Sequence, residues 1–364
     1  MKELAVFTQA YGVPTQTYVL RHIRDVLPGR TVAITTVDCS KQHGAWSVDC
    51  PVLNVKYTDY IRSAPAALNA IAAFLKEHQS RVLVGEMLDL SLPLFTPARE
   101  AGVRLFGHAH GRDVYAAGKH LAAPKASYST YNSAAGVFAV SEHMRAALIA
   151  DGINSALITV KPCAVDVPPE PAERQETDII RCIAVGRVID VKAPILMLDA
   201  FRRAAEQVKR PLHLDYYGDG DLLPAVKQFV RAFDLEEKVT LHGVQPHVTV
   251  LKALRRADIF IQHGINDAAT GLESRSTTVA EAMAAALPVI APWVGGVPES
   301  VSDGVTGFLV RPADNKEMAE RIVTLSKNPD LRLRMGRSGW ERARAELSFE
   351  RERETMLRTC ALES

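Results

Sequence analysis

Hydrophobic and polar positions along the first half of the chain alternate between two kinds of run. Short runs rich in β-branched residues predict strands, at 4–9, 31–37, 81–86, 103–111 and 156–160, and at the start of 136–152. Runs with apolar residues three or four positions apart predict helices, at 14–27 and 66–78 and over the rest of 136–152. Strands separated by helices indicate a parallel sheet that is covered on both faces.

The pattern stops at 165–178, a stretch rich in proline and charge, and then starts again. The second half predicts strands at 179–186, 212–218, 238–243, 257–263 and 287–292, helices at 192–208, 222–233 and 276–287, and a charged helical tail over 314–361. We therefore predict an N-terminal domain at 1–165, a C-terminal domain at 166–347 and a last helix at 348–364. The expected fold class is α/β, with two Rossmann-like doubly wound domains facing a central cleft at the carboxyl ends of both sheets.

Composition narrows the class of protein. The 364 residues are 47% hydrophobic and 23% charged with a net charge of +1, which fits a globular protein and argues against a general nucleic-acid binder. The five cysteines form no CxxC pair, so free thiols in a reducing compartment are expected. No apolar run resembles a leader or a membrane span, and a cytoplasmic protein is expected.

Polar residues after the strand at 257–263 carry the first candidate chemistry. Glu273 precedes the predicted helix and Glu281 lies inside it, while Ser276, Thr277 and Thr278 form the helix N-terminus. A helix N-terminus binds phosphate, and carboxylates accept hydrogen bonds from sugar hydroxyls. The alternative is a solvated glutamate followed by a helix-stabilising one.

Two cations follow another strand end. Gly186 closes the strand at 179–186, and Arg187 and Lys192 follow it, a pattern that suits a diphosphate. A solvated loop with unpaired cations is the alternative. The turns at Gly12 and at 216–223 lack the GxGxxG pattern, which argues against an oxidoreductase using a nicotinamide cofactor.

GHAHGRDV, at 107–114, places histidines at the end of a predicted strand. His108 and His110 should alternate faces on an extended strand, so we expect no shared metal ion. One histidine facing the cleft, His110, with Asp113 nearby is the preferred interpretation, although Asp113 can also cap the following segment.

The stretch from Gly271 to Asp314 closely resembles the donor-site signature of retaining glycosyltransferases of family four, which have the GT-B fold. VGRVIDVKAP resembles the family's Gly-Arg…Lys phosphate clamp, YYGDGDLL its Gly-x-Gly turn, and HGRD at 110–113 its His-Gly-x-Asp. The resemblance runs through nearly the whole chain. Four departures stand out, namely Ser274, Ala193 and Ala286, where the family has glycine, and Cys163–Ala164, where it has Asn–Gly.

This resemblance implies a retaining transferase that uses a nucleoside-diphosphate sugar, with UDP- and GDP-sugars expected first, and no metal or other cofactor. It assigns Glu273 to hydroxyls of the transferred sugar, Glu281 to the ribose, and Arg187 and Lys192 to the diphosphate. His110 would line the other face of the sugar. The sugar-nucleotide site would also include Gly12, Gly186 and the helix N-terminus at Ser276–Thr278. Alternatives are an enzyme of the same fold that epimerises or hydrolyses a nucleotide sugar, and a non-catalytic binding module.

Motifs in the N-terminal half indicate the class of acceptor. VPTQTYVLRHIRDV resembles a loop of relatives that build cell-surface polysaccharides, with Gln16 where the family has Glu, so Gln16 and Asp113 are the acceptor-side candidates. A glycan or lipid-linked glycan acceptor is expected, with weak peripheral contact at the inner face of the membrane. Two groups of basic residues are candidates for that contact: Arg21, His22, Arg24 and Arg30, or Lys119, His120 and Lys125. In the resembled family the last helix returns to the first domain.

Overall fold

The chain divides into two compact units in the computed structural model, which describes residues 2–13, 16–41, 46, 48–116, 121–174, 177–265 and 274–363. Unit 1 comprises Met1–Cys163 and Glu352–Ser364, and unit 2 comprises Ala164–Arg351. These boundaries lie two and four residues from the predicted ones, and the last helix falls mainly in unit 1.

Unit 1 is a parallel sheet of seven strands with helices between them. Its elements in chain order are β1 (Leu4–Tyr11), α1 (Thr17–Arg24), β2 (Thr31–Asp38), β3 (Val52–Asn54), α2 (Tyr57–Ile61), α3 (Pro65–Glu77), β4 (Val82–Glu86), α4 (Leu88–Ser91), α5 (Phe95–Ala101), β5 (Arg104–His108), α6 (Arg112–Tyr115), β6 (Gly136–Ala139), α7 (Glu142–Ala150) and β7 (Ile158–Val160). The strand order is β3-β2-β1-β4-β5-β6-β7. The order therefore reverses between β1 and β4, which are hydrogen-bonded neighbours.

Unit 2 repeats the arrangement with six strands. Its elements are β8 (Ile180–Val185), α8 (Pro194–Ala205), β9 (Leu212–Tyr217), α9 (Leu223–Ala232), β10 (Val239–Gly243), α10 (His247–Arg256), β11 (Ile259–Ile261), α11 (Thr277–Ala284), β12 (Val289–Pro292), β13 (Gly307–Val310), α12 (Asn315–Lys327), α13 (Pro329–Glu346) and the start of α14 (Phe349–Thr359). The order is β10-β9-β8-β11-β12-β13, with the reversal between β8 and β11.

Local sequence explains where these elements begin and what they bury. Proline occupies the first position of α3, where its missing N–H costs nothing. Ser141 accepts a hydrogen bond from the Met144 amide at 3.0 Å and so caps α7. Successive residues of β8, Cys182 and Ile183, enter the separate apolar clusters on the two faces of the unit 2 sheet.

The last helix packs within unit 1 through apolar side chains and through arginine hydrogen bonds. Met356, Leu357 and Cys360 are buried. Arg353 donates to the carbonyl of Val26 at 3.1 Å, and Arg104 donates to the carbonyl of Cys360 at 2.6 Å. Of the described helices, none combines the length and the apolar character that crossing a bilayer requires.

Candidate functional site

The carboxyl edge of the unit 2 sheet carries most of the residues predicted for the sugar-nucleotide site. Ligands of doubly wound sheets bind outside the carboxyl ends of the strands, where the strand order reverses. In unit 2 this point lies between β8, which leads into Gly186 and Arg187, and β11, which leads into Gln262 and His263. The first residues of α11 follow along the chain, after residues 266–273. Glu273 lies outside the described residues.

The loop that carries the two cations is fixed by a glycine turn. A Cβ on Gly218 would lie 1.9 Å from the carbonyl oxygen of Gly186, so only glycine allows this approach. The amide of Val188 donates to the carbonyl of Asp219 at 2.9 Å. The Gly-x-Gly turn therefore supports the β8 loop. Arg187 is exposed and Lys192 is half-buried.

The α11 N-terminus differs from the prediction in one respect. Ser276 and Thr278 donate their hydroxyls to Oε1 of Gln262, at 2.7 and 3.1 Å, so these hydroxyls already have partners. The amides of Thr277 and Thr278 lie in the first helical turn, where no intrahelical acceptor exists. The groups that this helix N-terminus offers to an anion are therefore mainly the backbone amides and not the side-chain hydroxyls.

Glu281 is buried and held by a residue that the sequence did not single out. His247, the first residue of α10, donates from Nε2 to Oε1 of Glu281 at 2.8 Å. The sequence feature that could have identified His247 is its position shortly after β10, at the same edge of the sheet as the other site residues. Glu281 is therefore a fixed acceptor at this edge.

Gln262 and His263 add hydrogen-bond donors that were also missed. Nδ1 of His263 accepts from the Gly264 amide at 2.9 Å, and burial lowers the pKa of His263 to about 4, so the neutral ring carries its proton on Nε2. That Nε2 and the amide nitrogen of Gln262 are buried, and neither has an acceptor among the residues that the structure describes. The amide of Ile265 donates to the carbonyl of Val191 at 3.1 Å. This bond joins the segment after β11 to the cation loop, the loop after β8 that carries Arg187 and Lys192.

The reversal point of unit 1 carries a buried carboxylate, Glu86, at the end of β4. Its Oε1 accepts from Nδ1 of His22 at 2.6 Å and its Oε2 from Nε2 of His110 at 2.5 Å. Nδ1 of His108 lies 2.9 Å from Oε2, although without hydrogen-bond geometry. Burial opposes the charge of Glu86, but the imidazoles of His108, His22 and His110 outweigh it and hold the pKa of Glu86 well below its usual range.

The remaining unit 1 candidates have partly structural explanations. Gly12 has φ of +88°, and a Cβ there would lie 2.9 Å from the Ser40 amide nitrogen, so packing alone requires glycine. Asp113 accepts from the amides of His110, Gly111 and Leu88 at 2.8–3.0 Å, which is the capping role. Oε1 of Gln16 is buried and has no partner within the described ranges.

The structure corrects two expectations about unit 1. The ring centroids of His108 and His110 are 4.1 Å apart, and ligand atoms of both lie within 4.8 Å of each other and of Cys163. The alternation argument against a shared ion was wrong, because residues two apart on an extended strand lie on the same face, and His110 in any case follows the end of β5 at His108. Histidine and cysteine are ligands that zinc takes. His22 and Arg21 are buried, so they cannot form the expected membrane-facing patch. Lys119 and His120 lie outside the described residues.

Comparison with known proteins gives the class of enzyme. Residues 170–342 match the family described as glycosyl transferases group 1, and residues 17–164 match the family described as glycosyl transferase 4-like domain. The chain belongs to the group 1 glycosyltransferases, and within them to the GT4-like kind.

Particular relatives are similar over part of their length. The chain is 28% identical over 178 residues to the amylovoran biosynthesis glycosyltransferase AmsK of Erwinia amylovora, covering 49% of this chain and 43% of AmsK. It is 31% identical over 160 residues to N-acetyl-alpha-D-glucosaminyl L-malate synthase of Bacillus anthracis, covering 44% and 37%. The matched segments thus span less than half of each relative.

A solved structure supports the fold over the whole chain. Anabaena HepE, crystallised in complex with UDP and glucose, aligns with a TM-score of 0.78 at 17% identity, covering 99% of this chain and 100% of that chain. The two units are the Rossmann-like domains of a GT-B fold.

Proposed function

We propose that the protein is a retaining, metal-independent glycosyltransferase that transfers a hexose-type sugar from a UDP- or GDP-sugar to a glycan or lipid-linked glycan. The observation that carries this proposal is the carboxyl edge of unit 2, where two cations, the first-turn amides of α11 and the buried acceptor Glu281 lie on neighbouring elements. The names of the relatives support cell-surface polysaccharide synthesis as the setting.

The site must stabilise the charge that develops as the nucleoside diphosphate leaves. When the bond between sugar and phosphate breaks, negative charge develops on the phosphate oxygen and positive charge on the anomeric carbon. Arg187, Lys192 and the amides of Thr277 and Thr278 stabilise that negative charge without a metal ion. The N–H groups of Gln262 and His263 add donors at the same edge. Removing one such group costs roughly 10²–10³ in rate.

The other roles follow the family resemblance. Glu281 accepts from the ribose in exchange for His247, and Glu273 and His110 contact the transferred sugar. The acceptor attacks from the face that the leaving phosphate occupies, which retains the anomeric configuration. Gln16, whose buried Oε1 has no partner among the described residues, is the acceptor-side candidate in unit 1, and Asp113 acts through the backbone that it caps.

A two-stage experiment tests this function. Thermal-shift screening against UDP-, GDP-, ADP- and dTDP-sugars identifies the sugar nucleotide, because a ligand that binds only the folded state raises Tm. Transfer to candidate acceptors is then followed by NMR of the anomeric proton. We expect the product linkage to keep the configuration of the sugar nucleotide. An inverted linkage, or conversion of the nucleotide sugar alone by epimerisation or hydrolysis, would contradict the proposal.

Variants of the cation loop test the phosphate assignment. Arg187→Ala and Lys192→Ala are expected to lower turnover by roughly 10²–10³ each while leaving Tm nearly unchanged. The matched control is Arg337→Ala, an exposed arginine on α13 whose partner is Glu341. Turnover within twofold of the control in both variants would remove the phosphate role.

A further inference from the structure

Two histidines and a cysteine from separate parts of the chain come together in unit 1. His108 ends β5, His110 follows that strand, and Cys163 follows β7. One ligand atom of each lies within 4.8 Å of the other two. Zinc holds tetrahedral nitrogen and sulfur ligands roughly 3.4–3.6 Å apart, so side-chain shifts of about 1 Å close the site around an ion.

His108 carries ring nitrogens that the folded chain leaves without hydrogen bonds. Its side chain is fully buried, and neither nitrogen has a hydrogen-bond partner among the residues that the structure describes. Nδ1 lies 2.9 Å from Oε2 of Glu86, although without hydrogen-bond geometry. A buried polar atom that lacks a partner costs about 1–3 kcal/mol and calls for an explanation such as a bound ion. Zinc on Nε2, the nitrogen that does not face Glu86, provides one.

Glu86 contacts both histidines in the manner of a carboxylate behind a zinc ligand. Its Oε2 accepts from Nε2 of His110 at 2.5 Å and also faces Nδ1 of His108. Each ring therefore directs one nitrogen to the carboxylate and has the other available for an ion. Histidines that bind metal almost always use their second nitrogen in this way, because the contact fixes the ring and raises its basicity.

Cys163 brings sulfur to the histidine pair. Its side chain hydrogen-bonds the His110 ring, whose Nε2 is already bonded to Glu86. The residue is half-buried, so an ion can reach the sulfur from solvent. The thiol loses its proton when zinc binds, and the thiolate and the nearby carboxylate of Glu86 lower the cost of placing a divalent cation here. The resembled family has asparagine at this position, so the thiol is a feature of this chain.

We propose that His108, His110 and Cys163 form a zinc site, with water as the fourth ligand, and that zinc bound there inhibits sugar transfer. Two imidazoles and a thiolate suit zinc, whereas magnesium and calcium prefer oxygen ligands. The inhibition rests on the proposed function, because it assumes that His110 contacts the transferred sugar. A ring bonded to zinc cannot make that contact. The binding of zinc itself does not depend on the function.

Binding is tested with Co²⁺, which occupies zinc sites and gives them a visible spectrum. Protein dialysed against metal-free buffer is titrated with Co²⁺ in the absence of oxygen. A thiolate ligand produces a charge-transfer band in the near ultraviolet, and four-coordinate geometry produces intense visible bands. We expect both signals to saturate at one Co²⁺ per chain and to disappear when Zn²⁺ is added.

Three variants assign the ligands. Cys163→Asn removes the thiolate, installs the residue of the resembled family and should abolish the charge-transfer band. Cys50→Ser is the matched control, because it removes another half-buried thiol of unit 1 and should leave the spectrum unchanged. Glu86→Gln retains all three ligands and should weaken Co²⁺ binding by roughly 10–100-fold.

The inhibition is measured as turnover with the identified sugar nucleotide, and each protein is compared with its own zinc-free rate. Wild type and Cys50→Ser should lose turnover by roughly 10²–10³-fold at saturating zinc, as for the loss of one transition-state contact. EDTA should restore their zinc-free rates. Cys163→Asn should keep its own rate at the zinc concentrations that inhibit the wild type.

The absence of a charge-transfer band in the wild type would overturn the zinc site, and this measurement needs no variant. A band that persists in Cys163→Asn would do the same, because the ion would then lie on another thiol. Zinc that binds without lowering turnover would remove the inhibitory role. The cobalt spectrum does not depend on activity. A protein inactive with every sugar nucleotide therefore refutes the proposed function and the inhibition with it, whereas a missing band refutes the metal site alone.

Discussion

Ala286 adopts a backbone conformation that favours glycine. Its φ is +57°, and the amides of Ala286 and Leu287 donate to the carbonyls of Met283 and Ala282, at 2.9 Å each. These two bonds define a Schellman motif at the end of α11, with Ala286 as its left-handed residue. Ala193 has φ of +44°. Both positions are glycine in the resembled family, so the departures change the residue while the backbone keeps the glycine-type conformation.

Replacing Ala286 with glycine should therefore stabilise the protein. The left-handed conformation costs an L-residue roughly 1–2 kcal/mol, and glycine loses about 0.5–1 kcal/mol more chain entropy on folding. We expect a net gain of about 0.5–1 kcal/mol, measured as a higher Tm. Ala285→Gly is the matched control, since its φ of −82° gives glycine no advantage and Tm should fall. A decrease in Tm for both variants would contradict the assignment.

Glu281 is expected to govern nucleotide affinity. Glu281→Ala removes a charged acceptor and should weaken binding of the free nucleoside diphosphate by roughly 1.5–3 kcal/mol, or about tenfold to a hundredfold. Isothermal titration calorimetry measures this directly. Glu317→Ala, on α12, removes a partly buried carboxylate paired with Arg321 and should leave the affinity unchanged. Equal Kd values in the two variants would refute the ribose assignment.

Candidate residues whose position follows from the local sequence could be proposed from it, whereas clusters built from distant partners could not. The β8 loop and the α11 N-terminus follow strand ends directly, so the sequence alone suggests Arg187, Lys192 and Ser276, whose roles stay predictions. Glu86 has partners at positions 22 and 110, and the first of these bonds Glu352. No spacing in the sequence indicates such a cluster, because the sheet topology creates it.

At the scale of elements, most strands and helices were predicted, but the ten-residue α10, the buried strand β13 and several short peripheral elements were not. β3 has three residues with two exposed side chains, and α2 and α4 have five and four residues, so none shows a periodic pattern. The strand predicted at 103–111 ends at His108. The histidine prediction failed for a different reason: positions 108 and 110 are two residues apart, and such residues lie on the same face of a strand.

The last helix is expected to stabilise unit 1 through one buried carboxylate. Glu352→Gln leaves Lys161 and His22 without their anion, and breaking a buried pair costs about 3–5 kcal/mol. At roughly 2–4 °C per kcal/mol, the Tm of unit 1 should fall by about 6–20 °C. Glu354→Gln, exposed on the same helix, is the control, with little change expected.

The pH dependence of the Tm difference between wild type and Glu352→Gln gives a second test. Burial would raise the pKa of Glu352, but the charge of Lys161 and the bond from His22 hold it far below its usual range. The stabilisation is therefore complete above the unfolded-state pKa of about 4.3 and is lost as the pH falls below it. The gap in Tm between wild type and Glu352→Gln should shrink below pH 4. A gap that is constant from pH 7 to pH 3 would contradict the ion-pair explanation.

At the scale of the whole molecule, the proposed chemistry predicts that chelators have no effect. In the proposed function Arg187, Lys192 and backbone amides supply the positive potential, so turnover after EDTA treatment and dialysis should equal that of protein dialysed alone. The comparison is made by measuring initial rates at saturating sugar nucleotide. Loss of activity that Mg²⁺ or Mn²⁺ restores would show that a metal replaces this role.

Unit 1 is discontinuous in sequence, and this has a consequence for the order in which the protein is made. The ribosome adds roughly 5–20 residues per second, so residues 164–351 separate the first 163 residues from Glu352 by about 10–40 s. During that interval Lys161 and His22 exist without the anion that later neutralises them. A nascent chain held by a chaperone at this stage, or one released early by a premature stop codon, would carry an unfinished first unit.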